Sequence, residues 1–390
     1  MGMAGVPSIK ARSIPELTQD SALHNAGRAG PEAAPRQRLE LRAGSWQDQW
    51  FLTEALPVRA CVSLQVSLRR CAICGLTALL LLAGAAQAVE PLYGKNLTPV
   101  SGLLGLPSMR SAALVPAQDM AFAVHGAMAS HAVFDSAAGE ALRLDGETHR
   151  LALEWRYGLA PGWELQVELP WLSHSGGSLD ALIDSWHSLW GMPDGGRDAV
   201  PRDQLDFRYL NSTAAFALQD SVSGAGDVTL GLHRALRTEG NWRLSAGLGY
   251  KLATGDEREL LGSGAEDVFL VLRANGLPPQ SAWQLFGQAG YLRAGQIPGL
   301  RAAQERNLWF AGMGVSWAVH ERVTLLAQVD AHAAPLQSNL TALGASALLL
   351  NVGARWQLTD RWALEAGFIE DIRVETAPDI TFQASLRFVP

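Results

Sequence analysis

Reactive side chains crowd into one stretch of this 390-residue sequence. His174 and Ser175 come first, then Asp180, Asp184, Trp186 and His187, then Asp194, Arg197 and Asp198 among glycines. Two chemistries suit these types. A His beside a Ser suggests hydrolysis, with the imidazole taking the hydroxyl proton. Asp180, Asp184 and His187 stand at i, i+4 and i+7 and share a helix face, an oxygen-and-nitrogen set that can hold a metal. Neither set is complete. Consecutive strand residues point apart, which separates His174 from Ser175, and the triad has no fourth ligand in the sequence. Leu179, Ile183, Trp186 and Trp190 also recur at helical spacing, so the plainer reading is a short amphipathic helix acting as a lid with solvated carboxylates. The chain has no Gly-x-Ser-x-Gly, phosphate loop or zinc motif.

A second set of carboxylates sits in glycine-rich motifs: Asp145-Gly146-Glu147, Gly226-Asp227, Thr254-Gly255-Asp256 and Gly262-Ser263-Gly264-Ala265-Glu266-Asp267. Asp145, Glu147, Asp227, Asp256 and Asp267 could together line an acidic mouth or hold Ca²⁺, which prefers hard oxygen ligands. The alternative is purely structural: Gly permits tight turns and Asp bonds nearby amides. No other cofactor is expected.

The elements around these motifs have period two. Trp163, Leu165, Val167, Leu169 and Trp171 alternate with Glu164, Gln166, Glu168 and Pro170, and Leu151, Leu153, Trp155 and Tyr157 alternate with Arg150, Ala152, Glu154 and Arg156. Such alternation marks strands with one apolar and one polar face. It recurs to Phe388. The polar face carries both signs of charge, as a wet barrel interior would: Arg150, Glu154, Arg156, Glu164, Glu168, Arg243, Lys251, Asp330, Arg355 and Arg387. Trp163, Trp242, Trp283, Trp317, Trp356 and Trp362 each stand close to a short turn, the pattern of an interfacial girdle. The fold expected is an all-β transmembrane antiparallel up-and-down barrel in a bacterial outer membrane.

Parity sets the strand number. Twelve candidates run over 118–131, 142–158, 162–173, 226–236, 241–253, 264–275, 281–293, 306–318, 322–333, 345–357, 361–370 and 379–389. Bacterial barrels have even strand numbers, with short periplasmic turns and long outer loops. With the Trp-flanked turns periplasmic, nothing between 173 and 226 can span, so 204–219 is expected above the bilayer as part of a long outer loop. Fourteen strands is the alternative, with 204–219 and the N-terminal arm both spanning. All four acidic motifs then fall at the outer end.

The apolar run Cys71–Ala86 follows Arg69-Arg70 and leads to Ala86-Gln87-Ala88, which reads as a secretory signal with cleavage after Ala88. The expected organisation is a non-native or disordered extension over 1–57, a signal over 58–88 started at an internal valine, a periplasmic arm over 89–117 and the barrel over 118–390. All three cysteines, Cys61, Cys71 and Cys74, precede the cleavage point, so no disulfide staples the exported chain. A net charge of −7 argues against nucleic acid as partner.

The run Leu169-Pro170-Trp171-Leu172-Ser173-His174-Ser175-Gly176-Gly177, with Asp184-Ser185-Trp186-His187 and Gly191-Met192-Pro193-Asp194-Gly195-Gly196-Arg197-Asp198, resembles the proteobacterial family called domain of unknown function 3187. The Gly-x-Gly-Asp and Thr-Gly-Asp elements are also similar to barrels linked with phenol degradation. Where the related pattern often has Pro before Thr, this chain has Leu252-Ala253-Thr254. The resemblance implies location and architecture and no substrate. The expected function is a narrow channel or transporter for small molecules, gated by the 174–204 loop. A structural or surface-binding barrel with a plugged lumen is the alternative, and a lipid hydrolase a minor one. Expected partners are outer-membrane lipid and lipopolysaccharide, the barrel assembly machinery through the C-terminal strand, and a small-molecule solute.

Overall fold

Alternating segments of nine or more residues can bury their polar face only against one another, and a closed sheet satisfies every backbone group without an edge. The computed structural model describes residues 88–137, 139–177, 204–276, 278, 281–373 and 375–389. Among them are β1 (Met120–Ala137), β2 (Glu140–Ala160), β3 (Trp163–Ser175), β4 (Asp206–Leu210), β5 (Ala215–Leu218), β6 (Val222–Ala225), β7 (Thr229–Arg237) and β8 (Trp242–Lys251). Then follow β9 (Asp267–Gly276), β10 (Trp283–Arg293), β11 (Asn307–His320), β12 (Val323–His332), β13 (Ala347–Gln357), β14 (Trp362–Asp371) and β15 (Ile380–Phe388). β1–β3 and β7–β15 pair in sequence order, and β15 pairs back onto β1 from Phe122↔Phe388 to Ser130↔Ile380. The result is a closed antiparallel barrel of twelve strands.

The three remaining strands lie at the outer end, β4 and β5 within the expected 204–219 and β6 just after it. β4 pairs with the first residues of β2, β5 adds to β4, and β6 pairs with the last residues of β3. The β1–β2 hairpin runs to Ala137↔Glu140, beyond the expected ends at 131 and 142, and supplies the edge that β4 joins. The Asp145-Gly146-Glu147 segment is therefore not a turn opening a strand. It lies inside β2, opposite Ala132, His131 and Ser130.

The alternation sorts the faces. Leu151, Leu153, Leu248, Leu270, Leu272, Leu285 and Met313 point outward and are exposed, Met313 at 71%. A belt of this size suits lipid contact. Trp163, Trp242, Trp283, Trp317, Trp356 and Trp362 stand exposed beside the short turns, and Trp283 stacks on Trp317 at 5.0 Å.

The largest correction concerns 89–117. This arm does not lie outside the periplasmic mouth; it fills the lumen as a hairpin. The Val89 amide donates to Gln284 near the periplasmic end of β10, and the Leu92 amide donates to Gln328 halfway up β12. Asn96 reaches His332 at the outer end of the same strand. A single 3-10 turn, Ser101–Leu103, reverses the chain there. The descending limb meets Asp267 through Gly105, Gln288 through Pro107 O, Asn275 through Ala112 and finally Glu164 through Val115, back at the periplasmic end. Gly158 is needed at the exit, since a Cβ there would collide with the Pro116 carbonyl. The arm has no strand periodicity because its backbone groups are met by wall side chains rather than by a neighbouring strand.

Candidate functional site

The inward faces and the arm together make a charged core in the lower lumen. Arg110 of the descending limb pairs with Glu154 of β2, and Glu154 also faces Arg156 at 3.2 Å. On the neighbouring wall Glu168 takes Arg150 at 2.6 Å, the Tyr93 hydroxyl at 2.9 Å and Lys95 at 3.6 Å. Glu365 holds Arg355, and Arg387 at 2.9 Å. Glu90 lies between Arg156, Arg110 and Arg387 at 3.6–3.9 Å, and its carbonyl accepts from Arg355. Burial by itself would raise the Glu90 carboxyl; Arg156, Arg387, Arg110 and Arg355 outweigh that and hold it at about 2. Burial also pulls the Lys95 ammonium down to about 8, against the attraction of Glu168.

Of the ten residues expected to line the lumen, Arg150, Glu154, Arg156, Glu168, Arg355 and Arg387 thus join this network, and Glu164 accepts the Val115 amide at 2.7 Å. Asp330 stands higher, bonded by Gln328 and Asn351 at 2.9 Å each. Arg243 keeps inward parity but sits at the rim, donating to Gly240 O. Lys251 is buried at the outer end with Asp227 at 2.6 Å and Asp267 at 3.4 Å. Glu90, Lys95 and Arg110 escaped the sequence reading because the arm has no period to orient its side chains.

The five rim carboxylates are not one acidic mouth. Asp227 accepts the amides of Thr254, Gly255 and Ser263 and so folds the β8–β9 loop around Lys251. Asp267 ties that loop to the arm and, through Gly295, to the β10–β11 loop. Asp256 caps its own turn by accepting the Arg258 amide. Asp145 faces Arg143 at 3.1 Å and Glu147 faces His149 at 3.0 Å, both around β2. Each carboxylate is turned to a protein donor. Among the described residues no group of three His, Cys, Asp or Glu is placed to hold a metal.

His174 is buried on the inner face of β3. Its Nδ1 pairs with the Thr148 hydroxyl and its Nε2 with Leu260 O, both at 3.0 Å, and Thr148 also meets His131. Both imidazole nitrogens are occupied, and Ser175 is the next strand residue, on the opposite face. The pair is not a nucleophile and base. His131 and His174 instead hold Phe207 of β4 edge-on at 5.2 and 5.7 Å. Phe207 belongs to an apolar cluster with Val100, Leu104, Leu292, Leu308 and Leu340 that caps the outer mouth over the tip of the arm. Asp180, Asp184, Trp186, His187, Asp194, Arg197 and Asp198 lie outside the described residues.

No curated protein matches the chain in sequence. Among solved structures it is similar to the COG4313 outer membrane channel from Pseudomonas putida F1, at 15% identity over 70% of this chain and 96% of that one, with a TM-score of 0.46. It is also similar to the Ralstonia pickettii toluene transporter TbuX, at 11% identity over 76% and 98%, with a TM-score of 0.37. The family model described as "Protein of unknown function (DUF3187)" matches residues 69–389, and the chain belongs to that family.

Proposed function

We propose that this barrel is an outer-membrane channel for small molecules, held shut by its own N-terminal arm. One observation carries the reading: residues 89–116 rise through the lumen and return, anchored on both limbs by wall side chains. A static core of this size would be built most stably from apolar residues, because burying ion pairs repays their desolvation poorly. A seat made of charges and water-sized gaps can release its occupant into an aqueous lumen at lower cost. The expected gate at 174–204 lies mostly outside the described residues, and the arm with the outer apolar cap supplies the closure in this reading. The engaged imidazole of His174 speaks against the hydrolase reading.

The apolar cap favours a second reading, a structural or surface-binding barrel whose plug never leaves. Planar-bilayer conductance separates the two. The intact chain is expected to give little or no current, and a chain lacking 89–114 a steady one. No current from the shortened, folded barrel would favour the structural reading and overturn the channel.

A further inference from the structure

One cavity in the lumen carries more acceptors than its surroundings can use. It lies between the arm and the wall formed by β10–β13, bounded by Gly94–Asn96 and the Ser101 turn, Gln288, Asp330 and Asn351. It offers about 50 Å³ to the centres of water-sized particles, where one water needs about 10–15 Å³. Three or four waters, or one small ion with a little hydration, fit.

Its polar groups can be followed atom by atom. The Asn96 amide gives its N–H groups to His332 and Thr376 O and accepts from Thr98 with its oxygen. The remaining nitrogen of His332 faces Ala333 O. Lys95 turns its ammonium to Leu106 O and to Glu168, on the opposite wall of the barrel. The amide of Asn96 and the imidazole of His332 are thereby spent, and the Lys95 ammonium is drawn away towards Glu168. Asp330 receives two neutral donors, both on Oδ2, and no cation acts on it among the described residues. Its Oδ1 leans over Gly312, where a Cβ would collide with it, towards Gln288 on the far side of the same cross-strand row.

Gln288 donates its amide N–H to Pro107 O, and Asn351 donates its own to Asp330. Each orientation is fixed, because a flipped amide would set oxygen against oxygen. The Gln288 Oε1 and Asn351 Oδ1 atoms are consequently buried without a donor, in residues 8% and 1% exposed. A carboxylate without a counter-ion and two orphaned carbonyl oxygens, in three residues that line one cavity, are an acceptor set lacking its donor.

We infer that this cavity is a binding site for a small monovalent cation, an alkali ion or a primary ammonium, held by Asp330 with Gln288 and Asn351. The site does not depend on whether the lumen conducts, so its test is equilibrium binding. The purified full-length barrel in detergent micelles is titrated calorimetrically with rubidium chloride and with methylammonium chloride, in choline chloride of constant ionic strength. Saturable heat is expected for at least one cation. Asp330→Asn should weaken it at least tenfold and Gln288→Leu by a smaller factor, both variants showing the heat-modifiable gel mobility of a folded barrel. Rubidium should also give an anomalous peak beside Asp330 in crystals of the unaltered chain, which tests the site should either variant fail to fold. Two results would overturn the inference: no saturable heat for either cation, or undiminished binding by folded Asp330→Asn. A peak elsewhere, with water alone in the cavity, would overturn it equally.

Discussion

At the scale of single residues, Glu90 ties the seating of the arm to pH. Its carboxyl is held at about 2, well below the usual carboxylate range. A depressed folded value means the carboxylate stabilises the seated arm fully above about pH 4.5, and that contribution is lost as pH falls through about 2. Glu154 and Glu365 share the same guanidiniums, so acid alone does not isolate Glu90. Comparison with Glu90→Gln does. Protease cleavage within 89–117 should rise in the wild type between pH 4.5 and 2, using an acid-active protease, while Glu90→Gln is cut faster at pH 5 and rises by a smaller factor below it. Identical profiles would mean that Glu90 does not hold the arm. The partners of Glu90 were legible in the sequence, since parity alone places Arg156, Arg355 and Arg387 on the inner face. Glu90 itself was not, because its position follows from contacts with strands tens to hundreds of residues away.

At the scale of elements, the barrel wall and its outer cap are built on different principles. The wall strands are legible because a lipid face and a polar face impose strict period two over nine or more residues. At the outer end the inner face of β1 and β2 packs on the apolar cap through Val133, Leu142 and Leu144, so the polar-apolar contrast fades at His131-Ala132-Val133-Phe134 and the expected strand ends fall short. The sequence did place 204–219 above the membrane, by parity. It could not reveal that Phe207 closes the cap against His131 and His174. Among the barrel strands the backbone of β4 pairs with the outer residues of β2, and the rest of its hold on the mouth is side-chain packing around Phe207, so the cap should open by itself. Phe207→Ala should cost about 3–5 kcal/mol there. Amide exchange across 204–219 should quicken by a hundredfold or more while β7–β15 keep their protection. Loss of protection throughout would show that cap and barrel unfold as one unit.

At the scale of the whole molecule, lipid, protein and charge are distributed inside out. Charged and hydrogen-bonding groups fill the centre, and leucines cover the outside. In water this arrangement would expose a continuous apolar belt, and in a bilayer that belt is the stabilising surface. Leu270 tests the difference because it lies near the middle of β9, outward and 60% exposed. Placing Arg there should cost about 2–4 kcal/mol in urea titrations of folding into phospholipid vesicles, as expected near a bilayer midplane. Leu270→Ala should cost far less, since little packing is lost. If the belt faced water, Leu270→Arg would be neutral or would improve solubility. A destabilised Arg variant beside a nearly unchanged Ala variant would therefore locate the hydrocarbon at β9. The charged lumen then lies inside the membrane, with the strand wall screening it from lipid and the arm filling it.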